Sequence, residues 1–154
     1  ANSIAGGLAL SIPSALYFGG VSVFFENKIL HPFEFHPDGV FSHLFTHTPS
    51  LYILFVVAIH FVLGFSIAIF AMGITSFFSK IVYVYAIPFA LYLSFDILIS
   101  NINGLEKFAG TRIYYLMSNL GLTIIDILIV NLILVLIGIV AFYINYKMEL
   151  KNGK

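Results

Sequence analysis

The stretch Leu51-Tyr-Ile-Leu-Phe-Val-Val-Ala-Ile-His60-Phe-Val-Leu-Gly64-Phe-Ser-Ile-Ala68-Ile-Phe-Ala-Met-Gly-Ile-Thr-Ser-Phe-Phe78 carries no charged residue, and His60 is its one strongly polar side chain. A helix rises about 1.5 Å per residue, so about 20 apolar residues cross a hydrocarbon core of about 30 Å. The stretch exceeds that length and predicts a membrane-crossing helix. Inside lipid each backbone polar group needs an internal partner, which leaves helices and closed barrels as the available spans. Barrel strands read as short alternating segments. This run is continuous, so it reads as a helix.

Three further runs have the same character. Residues 4–25 hold Pro13 and the pair Gly19-Gly20; residues 81–100 hold Pro88 and Asp96; residues 120–146 hold Asp126 and Asn131. The expected fold class is all-α: a polytopic membrane protein with four transmembrane helices in a single transmembrane domain over 1–154. The last run is longer than a bilayer needs and is expected to tilt or project. Composition agrees. Hydrophobic residues make up 60% and charged ones 9% of the chain, against roughly 25% charged in ordinary soluble domains. So few charges cannot cover a water-facing surface of this size. A net charge of zero gives no footprint for nucleic acid. With no cysteine, disulfides, thiolate zinc sites and cysteine nucleophiles are excluded. No basic region precedes the first apolar run, so that run does not read as a secretory signal peptide.

Lys and Arg set the expected orientation. With the N-terminus inside, Lys80, Lys147, Lys151 and Lys154 fall on the inner side, and Lys28, Lys107 and Arg112 on the outer. Both termini are therefore expected in the cytoplasm. Tyr83, Tyr85, Tyr143 and Tyr146 then lie near the inner surface, as an aromatic belt would. The second and third spans are joined around Ser79-Lys80 as a tight hairpin. The longer connections, 26–50 and 101–119, fall outside. From Asp38 to His47, apolar residues at 40, 41, 44 and 45 alternate with polar ones at 42, 43, 46 and 47. That spacing predicts a short amphipathic helix with Asp38 as its N-cap. Thr111 to Asn119 repeats the pattern more weakly. Such pieces lie in the interface or dip into a cleft.

Four histidines, His31, His36, His43 and His47, crowd the first outer connection beside Glu34 and Asp38. Imidazole and carboxylate suit zinc, copper or nickel, and the i, i+4 pair His43 and His47 shares one helix face. Their spacing matches no closed metal motif, and the plain alternative is a wet helix face that uses histidine. Within the spans stand Asp96, Asp126 and His60. An Asp at mid-membrane costs roughly 2.5–3.5 kcal/mol on insertion scales. Read from the span ends, Asp96 and Asp126 sit at similar shallow depth on antiparallel helices. Two readings stand side by side. Either they line a polar path for a cation, proton or cationic substrate, or each meets water, Lys107 or Arg112 near the interface. His60 is deeper and reads first as a hydrogen-bonding residue between helices. Gly64 and Ala68 form a small-xxx-small pair that permits close helix packing, within the chain or between chains; Gly138 and Ala141 offer a weaker one. No phosphate-cradling glycine loop, nucleophile elbow or His-Glu-x-x-His motif is present. The chain is thus expected to be non-catalytic by itself and to hold no cofactor.

The opening Asn2-Ser3-Ile4-Ala5-Gly6-Gly7-Leu8-Ala9-Leu10-Ser11-Ile12-Pro13, the hairpin through Lys80, the Pro88-bearing span, the outer segment Gly104 to Asn119 and the long last span with its basic tail together resemble a known family. They look like the C-terminal two-thirds of a type-2 ATP-binding cassette exporter permease, similar to small permeases of low-GC Gram-positive bacteria. The likeness covers nearly the whole chain and rests mostly on topology and hydropathy. It implies a bacterial plasma-membrane location, a second permease copy or paralogue as partner, and a cytosolic nucleotide-binding ATPase subunit that hydrolyses ATP. It also implies that this chain supplies the last four of six spans, and that Asp96 and the segment from Gly104 to Asn119 border an outer gate. The substrates so implied are peptides, bacteriocins or lipid-like molecules. Two other readings remain open: a non-catalytic accessory or immunity membrane protein, and a metal- or cofactor-bearing subunit of a membrane enzyme.

Overall fold

The structure, a computed structural model, describes residues 2–25, 40, 42–109, 113 and 121–151. Its elements among the described residues are the helices α1 (Asn2–Phe25), α2 (Ser42–His47), α3 (Pro49–Thr75), α4 (Ile81–Ser100) and α5 (Ile124–Lys151), with a 3-10 turn at Glu106–Phe108 before α5. No strand occurs among the described residues. Among the described residues, three helical stretches are long and apolar enough to cross a membrane: Ser50–Thr75, Ile81–Ser100 and Ile124–Lys151. α1 has 24 residues, about 36 Å at 1.5 Å per residue; its described apolar part runs Ser3–Leu16. The protein is an all-α, polytopic membrane protein.

The boundaries follow local chemistry. α3 starts on Pro49, whose missing N–H and fixed φ suit a first turn. The link to α4 occupies 76–80, where Ser76 Oγ donates to the Gly73 carbonyl at 2.7 Å and Phe78 meets Tyr83 edge-on at 6.3 Å. Gly104 and Gly121 take φ of +86° and +80°, a region open to glycine at little cost. Gly121 turns the chain into α5, so that helix begins at Ile124 and not at residue 120 as its hydropathy suggests. At its other end α5 continues as helix through the tail to Lys151.

α3 is the central helix, and α1, α4 and α5 all pack on it. α1 runs antiparallel to it: Ser3 shares a crevice with Met72 and Gly73, whereas Gly7 lies against Phe61. α5 runs in the same direction as α3. Leu122 and Ile127 at its start cluster with Tyr52, Val56 and Leu63, and Gly138 meets Gly73 further along.

Both tight interfaces are made of small residues. A Cβ at Gly6 would lie 2.5 Å from Ala68 Cβ and 2.7 Å from the Gly64 carbonyl oxygen. A Cβ at Gly138 would lie 2.5 Å from the Ile69 carbonyl oxygen and 2.9 Å from Phe70 Cα. Real Cβ atoms do not approach backbone so closely, so these crossings require glycine. Lipid tails are as apolar as Leu, and helices in a bilayer gain their attraction from such close contact. Val40 and the fully buried Ile113, one from each long connection, insert into the core at the end where α3 and α5 begin.

Candidate functional site: a lateral cleft beside α4

α4 is built differently from its neighbours. Its buried residues are Pro88 and Asp96, a ring and a carboxyl. Pro88 has no N–H, which releases the Val84 carbonyl from the helical ladder. Along most of its length α4 shows large apolar side chains outward, among them Ile81, Val82, Phe89, Ile97 and Leu98. These suit lipid. On the inward side α4 does not close on α5. A cleft of about 350 Å³ opens between them.

Four elements build this cleft. α4 contributes Tyr92, Phe95, Asp96 and Ile99; the turn beyond it contributes Leu105 and Phe108. The opposite wall is α5 from Ile129 to Ile137, with Phe70 of α3 at the floor. Asp96 is 8% exposed. It stands four residues after Tyr92, so one face of α4 presents both. Asp96 also lies one turn before the C-terminus of α4, where the helix macrodipole is negative, and no basic residue occupies that last turn. None of the lining residues is basic. The cleft is therefore an apolar slot with one carboxyl among its lining side chains, near the end where Lys107 lies over the Phe108 ring.

Asp126 does other work. Thr123 and Asp126 form a reciprocal capping box at the start of α5. The Thr123 N–H donates to Asp126 Oδ2 at 2.9 Å, and the Asp126 N–H donates to Thr123 Oγ1 at 3.2 Å. The Thr123 hydroxyl adds a bond to Asp126 Oδ2 at 2.8 Å. Lys107 Nζ lies 3.1 Å from both carboxylate oxygens and 4.8 Å from the centre of the Phe108 ring. This ion pair ties the 3-10 turn to α5, and that turn carries the cleft's end wall. Asp126 is thus the third residue of its helix, not six residues into a span, and it does not line the cleft. Asp126 pairs with Lys107 and is not among the residues that line the cleft at Asp96. The sequence Thr123-Ile-Ile-Asp126 carried the signal, a Thr-x-x-Asp pattern at a helix start.

The other residues singled out by sequence separate into distinct places. His60 is buried on α3, one turn along the α1 crossing from Gly64, at the level of the buried Ser11. Ser11 and Ser14 bond back to the Leu8 and Leu10 carbonyls of their own helix. Gly64 and Ala68 are the α3 side of the α1 crossing, inside the chain. His43 and His47 are exposed on the six-residue α2. His31 and His36 lie outside the described residues, as does the proposed N-cap Asp38. No group of three His, Cys, Asp or Glu that could hold a metal occurs among the described residues. Of the second outer segment, Thr111 to Asn119, only Ile113 is described.

Sequence reasoning missed two features. One is the pairing of Gly73 with Gly138, which joins α3 to α5. The other is a polar level two turns above it. Ser66 and Asn131 are both buried, and each precedes its contact glycine by seven residues, about two turns. They therefore share one level of the parallel α3–α5 interface. Ser66 donates to the Val62 carbonyl at 2.8 Å and Asn131 Nδ2 to the Ile127 carbonyl at 2.8 Å, while Asn131 Oδ1 is buried with no hydrogen-bond partner among the described residues.

Comparison with known proteins finds no matching family model, no matching curated protein and no matching solved structure.

Proposed function

We propose that the chain is a non-catalytic membrane subunit of an ATP-driven exporter, the permease through which an amphipathic peptide or lipid-like substrate leaves a bacterial cell. The observation that carries this reading is the lateral cleft. It is apolar, faces the side of the bundle where lipid would lie, and bears a single carboxyl beside Tyr92. A substrate that partitions into the bilayer could enter such a slot without crossing water. The order of the helices, the short α3–α4 hairpin and the long α5 ending in Lys147 and Lys151 add the support of topology, which is an analogy of form. In this reading α1 is a fourth span, and a second permease copy completes the path. A cytosolic nucleotide-binding subunit drives the alternation by binding the two states unequally.

The test is biochemical composition. The chain, tagged and purified from its native membrane in mild detergent, is expected to bring a stoichiometric ATPase subunit that photolabels with azido-ATP. A chain that purifies with no nucleotide-binding partner, and whose membranes show no ATP-dependent transport, overturns the exporter reading and leaves the accessory-protein alternative. Orientation is tested separately. The chain has no cysteine, so a single new one reports cleanly. His43→Cys is expected to react with an impermeant maleimide from outside intact cells, and Lys147→Cys to stay unlabelled; the reverse pattern would invert the topology.

A further inference from the structure

The far end of the bundle, away from the Glu106–Phe108 turn, carries a second hollow and a different charge. α1 begins there, α3 ends there, and α5 runs on to Lys151. Among the described residues its charged side chains are Lys80, Lys147, Lys151 and Glu149, three cations against one acid. A crevice of about 360 Å³ lies there between the start of α1 and α5. Ser3 comes from α1, Met72 and Gly73 from α3, and Ile139, Phe142 and Tyr146 from α5. Those α5 positions recur at i, i+3 and i+7, one face of the helix. Ile139, Phe142 and Tyr146 are each about half exposed, so the crevice is open along the side of the bundle and an occupant can continue into lipid. No acidic residue lines it.

Lys147 supplies the charge. It stands one turn beyond Tyr143, a further lining residue, and its Nζ lies 4.9 Å from the centre of the Tyr143 ring. Helical side chains lean toward the N-terminus of their helix, so this ammonium is folded back toward the membrane. Lys151 follows at i, i+4 on the same stripe. Glu149 lies about 200° round the helix from Lys147 and accepts from Asn145 Nδ2 at 3.3 Å. The nearby carbonyls that would repel an anion are occupied. Gly73 O accepts from Ser76 Oγ at 2.7 Å, and Met72 O from Thr75 Oγ1 at 3.1 Å. From Asn145 onward the sequence turns polar, so this stretch of α5 passes from hydrocarbon to head groups, the level that tyrosine favours.

We infer that the α1–α5 crevice binds a phospholipid with a net anionic head group, one acyl chain lying along Ile139 and Phe142 and the phosphate at Lys147. Charge complementarity names the occupant. A zwitterionic lipid offers the same chains but brings its own cation toward Lys147 and Lys151. Basic pockets at the membrane ends of helices recognise anionic head groups in this way. A lipid so held fills the hollow beside the Gly73–Gly138 crossing and links α1 to α5, both of which pack on α3. The site is independent of the exporter reading. It needs neither an ATPase nor transport, so either can fail alone.

The experiment uses the complete chain in nanodiscs at physiological ionic strength, where long-range attraction is screened. No tryptophan is present, so Phe142→Trp places one reporter in the crevice, and Phe89→Trp places one on the outward side of α4. The probes are phosphatidylglycerol and phosphatidylcholine with dibrominated acyl chains, whose bromines quench nearby tryptophan. Each is added in turn to discs of unbrominated phosphatidylcholine. At Phe142→Trp the brominated phosphatidylglycerol is expected to reach half its quenching at about a fivefold lower fraction than the phosphatidylcholine, the effect of one lysine near a membrane surface. At Phe89→Trp the two are expected to quench alike. Lys147→Gln in the Phe142→Trp chain is expected to remove most of the preference, and Lys147→Arg to keep it. Four results each overturn the site. They are equal quenching by the two lipids at Phe142→Trp, the same preference at both reporters, a preference that survives Lys147→Gln, and no quenching at Phe142→Trp by either lipid. The second would mean diffuse surface charge, and the last a crevice covered by protein.

Discussion

α1 and α4 invite comparison because they begin alike. Each is an apolar helix with an internal proline, and each lies against α3. α1 turns small side chains toward its neighbour: Gly6, Gly7, Ser11 and Ser14. Its backbone reaches the backbone of α3. α4 turns Pro88, Tyr92 and Asp96 inward and leaves a slot of about 350 Å³ between itself and α5. In water, bulk apolarity would have driven both helices home. In lipid it cannot, because detaching a helix exposes nothing to water. Close contact of small residues therefore decides which helices form the fixed frame. α1, α3 and α5 make that frame, and α4 is a wall set beside it.

The largest expected effect falls on the frame. Gly64→Leu drives side-chain atoms into the Gly6 and Gly7 backbone, and Gly138→Leu into Ile69 and Phe70. Backbone cannot yield as a flexible side chain can. Each variant is expected to lose about 3 kcal/mol or fail to fold, the upper range for overpacking. Thermal unfolding in mild detergent measures it. If either variant melts like the parent, the helices stand further apart than the glycine contacts require, and the contrast with α4 disappears.

A middle effect tests the joint between frame and wall. Asp126 caps α5 and holds Lys107, and through Lys107 it fixes the turn that follows α4. Asp126→Ala is expected to cost about 1–2 kcal/mol, mostly as a lost cap. Lys107→Met keeps the cap and removes the pair, whose lysine is 34% exposed, together with the cation–π contact to Phe108, and is expected to cost under about 1 kcal/mol. The double variant should cost less than the two together, because both lose the same contact. Strict additivity in chemical denaturation would mean that the ion pair contributes nothing.

Much of the helical layout was legible in the sequence. The run 81–100 coincides with α4, and 51–78 overlaps α3 apart from its last three residues, which begin the hairpin. Hydropathy works here because a bilayer demands continuous apolar length. It failed at the start of α5, where Leu122 is apolar yet precedes the helix that Thr123 caps. With that end at Ile124, Asp126 is the third residue of α5, where it pairs with Lys107. The Gly64 and Ala68 pair was visible, but not its partner Gly6, since one sequence does not say which helices are neighbours. For the same reason the cleft was invisible. Asp96 was noticed as costly, while the slot that houses it is made by residues thirty to forty positions away, from Ile129 to Ile137.

The smallest expected effect is on the outer face of α4. Phe89 and Leu98 are 65% and 61% exposed, and in a bilayer both would touch lipid tails. Replacing either with Ala exchanges one apolar contact for another and leaves no cavity in the frame. Phe89→Ala and Leu98→Ala are each expected to change stability by less than about 0.5 kcal/mol, as surface substitutions do. The same measurement in native-lipid nanodiscs and in detergent sharpens the point. A loss of about 2 kcal/mol or more, present only in the native-lipid preparation, would mean that this face is covered by another helix that detergent removes. α4 would then belong to an interface between subunits, and its loose fit against α5 would mark it as the movable part of a larger assembly. A null result in both preparations keeps it what the chain alone makes it, a lipid-facing wall.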